Sequence, residues 1–223
     1  MLPLPPIVAA PVATDDVLYA WDEWQVRDYF DFDDPDLADE LAKVSGRSSM
    51  ALTLAVGEWI CHRFSRLSSD PAPLQFLEAG WGEQMQPGFI DYYETNDDDW
   101  RGPVRGPLSM VITIANDALS CLDEDDDLPG RAVWMTNLAR HVLPVREGFE
   151  AWLSAVVQRL IEHHPAAEAA GESLLDDEYD LGRPVARQLF DTTRPWFRAD
   201  ETPLVKDFLQ RVDPSNPFLL ANT

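Results

Sequence analysis

The sequence predicts an all-α protein, a helical bundle or short α-solenoid with an internal duplication of about 60-residue helical units. Three observations lead there. Residues 11–61 align with 71–121 without a gap and match at 12 of 51 positions, where ordinary composition gives roughly three or four. The strongest segments place apolar residues at three- and four-residue spacing. No segment sustains the period-two alternation of strands joined by hairpin turns.

The identities are Pro11/Pro71, Trp21/Trp81, Glu23/Glu83, Asp31/Asp91, Asp39/Asp99, Val44/Val104, Gly46/Gly106, Ser49/Ser109, Met50/Met110, Thr53/Thr113, Ala55/Ala115 and Cys61/Cys121. Each unit then reads as an aromatic-rich helix, an acidic connection, a Ser/Met/Thr helix and a polar loop. Fragments continue into a third unit, with Ala72, Ala79, Gly88 and Phe89 matching Ala132, Ala139, Gly148 and Phe149. Stacked units of this kind share a core and offer an extended surface more readily than a deep pocket.

The N-terminus, Met1 to Pro11, is apolar but has four prolines and no basic stretch, which fits a secretory signal badly. It reads as an extended arm. Weaker helices fit 17–30 and 36–44. Residues 48–67 form a strong helix through Leu52, Val56, Trp59, Phe64 and Leu67, with Leu54 and Cys61 as a second apolar flank. A wide apolar arc marks a central helix. A weaker helix fits 73–86. Residues 107–122 repeat the strong theme through Leu108, Val111, Ile112, Ala115, Leu119 and Leu122, with Pro107 suited to the first helical position. After a weaker helix at 131–142, residues 145–164 give a third strong one and end in His163 and His164 before Pro165. Further short helices fit 184–191 and 203–211. Prolines 203, 214 and 217 limit the last and leave Phe218-Leu219-Leu220 as a docking tail. The predicted organisation is an N-terminal arm over 1–16, a helical domain of two to three units over 17–165 and a helical cap over 166–223 packed on the same domain.

The formal net charge is −23, from 40 acidic and 17 basic residues. Asp outnumbers Glu by 26 to 14, and Lys43 and Lys206 are the only lysines. Asp favours caps and turns over helix interiors, so much of the charge belongs in connections: Asp31 to Asp36, Asp97 to Asp99, Asp123 to Asp127 and Asp176 to Asp180. Such a chain repels nucleic-acid phosphates and attracts basic proteins. The competing reading of the same acidity is solubility or salt adaptation. No run of about 18 apolar residues is present, so no membrane span is expected. Two cysteines at matched positions read as small buried hydrophobes in a reducing cytoplasm.

The motifs that would carry chemistry fail on residue type or spacing. Asp123-x-Asp125-x-Asp127 opens like a calcium loop but has Leu128 at position six and Trp134 at position twelve. Asp31-x-Asp33 resembles the acidic pair of some transferases but lacks the strand before it. The four histidines show no metal spacing. Cys61-His62 are adjacent on a helix, about 100° apart, and their counterpart is Cys121-Leu122.

The sequence therefore predicts no catalytic residues, no metal site and no cofactor. It predicts an acidic cytoplasmic binding protein, an inhibitor of the immunity or antitoxin type that neutralises a basic toxin or nuclease. The alternatives are a metal-dependent enzyme using paired carboxylates and an oligomeric adaptor. The expected contact surface comprises Tyr92, Tyr93, Asp97, Asp98, Asp99 and Trp100 together with Asp123, Glu124, Asp125, Asp126 and Asp127. Trp100 is the expected anchor. The two clusters flank the Ser109–Cys121 helix.

Overall fold

The computed structural model describes residues 12–29, 31–90, 92–96, 98–124, 127–166 and 181–220. Among them the regular structure is helical: α1 (Pro35–Leu41), α2 (Gly46–Arg63), α3 (Ala72–Met85), α4 (Gly102–Glu124), α5 (Leu128–Val142), α6 (Glu147–His163) and α7 (Glu201–Arg211). Short 3-10 turns cover Val26–Asp28, Arg187–Phe190 and Arg198–Asp200. The described residues contain no strand. Two isolated bridges, Val44 with Pro165 and Ile90 with Leu219, tie loops together.

Local chemistry starts the helices. Asp34 accepts the Leu37 amide ahead of Pro35, and Asp127 accepts the Gly130 amide ahead of Pro129. Asp70 accepts the Ala72 amide at the start of α3. Part of the acidic surplus thus sits at helix entrances, where it satisfies donors that the helix leaves open.

Helix α2 is the centre of the bundle. It packs against α3, α4 and α5, and α4 also packs against α3 and α5. Every residue of α2 except Arg47 is buried. The wide apolar arc read over 48–67 therefore belongs to a central helix. α6 adds an aromatic layer, with Phe149 and Trp152 each 5.4 Å from Trp59 between ring centroids. α1 rests on α5 and α6, and α7 rests on α3.

Three expected helices are corrected. The one expected over 184–191 forms only the 3-10 turn Arg187–Phe190. α4 begins at Gly102, so Pro107 lies inside it rather than at its start. Proline has no N–H for the carbonyl four residues earlier, that of Pro103. The Tyr19 hydroxyl donates to that oxygen instead. The helix expected over 17–30 is not formed; the segment has only the Val26–Asp28 turn. Its aromatics are separate pegs rather than one helical face. Tyr19 reaches Pro103, and Trp21 lies against Gly106, where a Cβ atom would overlap the indole nitrogen. The first unit, as drawn from the sequence, consequently lacks its opening helix.

The N-terminal segment is a strap. The Arg63 guanidinium donates to the carbonyls of Thr14, Asp16 and Val142, and His141 bonds the Ala20 carbonyl at 2.8 Å. The C-terminal tail docks within the chain. Leu220 donates to Phe89, Asn216 donates to Gln75, and the Phe218 ring packs 5.4 Å from Phe76 and 4.9 Å from Tyr93.

Candidate binding surface

The expected surface divides once side chains are placed. Asp97, Asp125 and Asp126 lie outside the described residues. Asp123 and Glu124 end α4, and nothing is described of their side chains. Asp127 is exposed and caps α5. Asp98 is exposed and pairs with Arg101 at 2.8 Å, and Asp99 accepts from Asn96 at 3.1 Å.

Trp100 is not an exposed anchor. It is 7% exposed, within the core, and the Arg105 guanidinium covers its ring at 4.6 Å while reaching Asp70. Tyr93 is likewise committed, its ring held between Phe76 and Phe218. Both rings close the loop onto the bundle, which the sequence pattern could not separate from an interface role. Tyr92 stays 65% exposed, and its hydroxyl donates to Glu94 at 3.1 Å. Glu94 raises this phenol's pKa through the hydrogen bond and its charge. With 23 residues, α4 is about 34 Å long. The two acidic clusters are therefore farther apart than the short-helix reading of 107–122 implied.

A second aromatic and acidic region was missed because 17–30 was read as a helix. Trp24 is 81% exposed, the highest of the exposed large apolar side chains described. Just after it, Arg27, Asp28, Tyr29, Asp31, Phe32 and Asp33 face Trp134 of α5 across an open cleft of about 690 Å³. Asn137 holds the loop by donating to the Asp31 carbonyl at 2.8 Å. Arg140 clamps the following residue, donating to Asp34 at 2.6 Å and making a two-pronged contact with Glu150. Burial raises the Asp34 pKa, but Arg140 and the Leu37 and Asp36 amides outweigh it and hold this carboxyl below the usual range. The sequence signal available was Asp31-x-Asp33 set among Tyr29, Phe32 and Arg27.

Several buried ionisable groups are engaged inside the fold. Glu58 is fully buried; it accepts from Trp81 at 2.7 Å and from the Arg187 fork at 2.7 and 2.6 Å. Gln84 exchanges two hydrogen bonds with the Val185 backbone beside it. Glu201 contacts Arg183, and His164 Nε2 lies 2.6 Å from Glu201 Oε1 without hydrogen-bond alignment. Arg159 donates to the carbonyls of Leu189, Asp191, Thr192 and Arg194.

Cys61 and His62 have no nucleophilic arrangement. Cys61 is a buried free thiol whose pKa is pushed up by burial and by Glu58. Burial and Arg187 lower the His62 pKa against the pull of Glu58. Among the described residues no three His, Cys, Asp or Glu side chains are grouped to hold a metal, and no helix is long and apolar enough to cross a membrane.

No protein-family model matches the chain, and no curated protein and no solved structure matches it.

Proposed function

We propose that this chain is an acidic binding protein for a basic protein partner, an inhibitor of the immunity or antitoxin type. The observation that carries the reading is the unequal use of charge. Arg63, Arg159 and Arg187 are drawn inward onto carbonyls or onto Glu58. Arg105, Arg131 and Arg140 are tied to Asp70, Asp117, and Asp34 with Glu150. The exposed carboxylates of Asp28, Asp31, Asp33 and Asp98 lie around the exposed rings of Trp24 and Tyr92 or in the loops beside them. Several arginines structure the interior, while these carboxylates and rings face outward. That combination supports electrostatic capture followed by aromatic docking.

The 60-residue match supports, in the same reading, a partial duplication. α4 spans the residues matched to α2, whereas the 12–25 segment matched to α3 forms no α-helix. Related units would present a long, shallow surface suited to a protein partner.

The test is a pull-down from the source cell at low and high salt, followed by kinetics on the captured complex. Asp98→Asn with Asp99→Asn should slow association at low salt, and Trp24→Ala should speed dissociation. Unchanged kinetics in both folded variants would reject the surface. The metal-enzyme alternative rests on Asp31 and Asp33 sharing one cleft. Thermal stabilisation by magnesium or manganese that Asp31→Asn removes would favour it.

A further inference from the structure

We propose that the cleft between the 27–33 loop and α5 receives an arginine side chain of the basic partner, with Arg27 as the chain's own stand-in for it. The proposal rests on the partner-binding reading above and names the place and the chemistry of contact. The cleft, at about 690 Å³, falls in the size range that encloses a small molecule, so it has room for one long side chain and its neighbours. Its walls are aromatic. Phe32 and Trp134 meet edge to face with ring centroids 5.3 Å apart. Asp31 and Asp33 bring two exposed carboxylates to the same cleft.

Guanidinium groups already lie over these rings. Arg27 stands 5.5 Å from the Phe32 centroid and Arg131 stands 4.4 Å from the Trp134 centroid. Arg27 is exposed, and its described contact is with the Phe32 ring. An exposed cation held by a ring face is readily displaced. A carboxylate beside a ring face is the pairing that a guanidinium selects: its in-plane N–H groups donate to the acid while its face stacks on the ring. A lysine ammonium gains the charge term with less of the stacking. Asn137 fixes the Asp31 carbonyl, so the loop is partly ordered before a ligand arrives, which lowers the ordering cost of binding.

The experiment is calorimetric titration of the full chain with nona-arginine and nona-lysine peptides at low salt and near physiological salt. Nona-arginine should bind more tightly. Asp31→Asn with Asp33→Asn should weaken it about tenfold and abolish the preference over lysine. Asp200→Asn with Asp207→Asn, at the start of α7 and within it, changes the net charge equally and should weaken binding by about twofold or less. Arg27→Ala should tighten binding about two- to threefold by removing the competing cation. Phe32→Leu should erase the arginine preference; if that variant unfolds, the two Asp pairs still decide.

Equal weakening by the two Asp pairs, or equal affinity for the two peptides, overturns the cleft and leaves the acidic-partner reading standing. Absence of binding by either peptide at low salt overturns that reading as well.

Discussion

Two arginine forks hold loops onto this bundle, and they do so in opposite environments. Arg187 reaches Glu58 in the middle of α2, where the carboxylate side chain is fully enclosed and the guanidinium is 12% exposed. Arg140 joins Asp34 to Glu150 with all three side chains between 22% and 40% exposed. The contact chemistry is the same, but the alternative to contact differs. If the outer fork opens, water solvates every group. If the inner fork opens, a carboxylate is left dry. The inner pair therefore fixes where the 181–191 segment must lie, while the outer network tunes how firmly the 31–34 loop is held.

The largest expected effect breaks the inner fork. Glu58→Ala should cost about 3–5 kcal/mol in denaturant unfolding, because Arg187 and the Trp81 indole lose their buried acceptor. Replacing both Glu58 and Arg187 by leucine should recover much of this. A double variant as unstable as the single one would show that the pair contributes more than charge compensation.

A third attachment, made by shape, sharpens the contrast. Gly106→Ala places a methyl group against the Trp21 ring, and the strap must lift. The expected cost is about 1–3 kcal/mol, read from the unfolding midpoint together with faster proteolysis near residues 12–21. Unchanged proteolysis would mean that Arg63, His141 and Tyr19 retain the strap without the Trp21 contact.

Opening the outer fork should do least. Arg140→Ala should cost at most about 1 kcal/mol near neutral pH. The Asp34 pKa is depressed in the folded state, so its stabilising contribution is complete above the unfolded carboxylate range. It disappears as pH falls through the lower folded value. Wild type and Arg140→Ala should thus converge in stability only in strong acid. Convergence already at mildly acidic pH would remove Asp34 from the network.

His62 gives the corresponding pH signature on the buried side. Its folded pKa is depressed by burial and by Arg187, with Glu58 opposing. The unfolded chain therefore binds the proton first as pH falls. Wild type should lose stability below about pH 6.5 relative to His62→Gln. Parallel pH profiles for the two proteins would place the imidazole in contact with solvent.

The inner and outer parts were unequally legible in the sequence. α2, α4 and α6 were readable because their apolar spacing is the direct imprint of burial on several sides. The strap was not: Tyr19, Trp21 and Trp24 mimic the density of an amphipathic helix, yet each meets a different fate. One satisfies a proline-orphaned carbonyl, one fills the space over a glycine and one stays in solvent. The inner fork did leave a trace. Glu58 is the lone acid in a helix otherwise apolar on most sides, and a dry carboxylate requires a cation, although its position 129 residues away is invisible to local pattern. Trp100 and Tyr93 beside acids looked like anchors, since composition does not say whether a ring turns inward or outward.

That 129-residue separation also sets an order of events as the chain is made. Helix α2 emerges from the ribosome long before Arg187 exists. At about 5–20 residues per second the interval is roughly 6–26 s. Throughout it, the central helix carries a carboxylate that no dry interior will accept. Final closure of the core therefore waits for synthesis to pass residue 187, so nascent chains halted before that point should remain open and sensitive to protease.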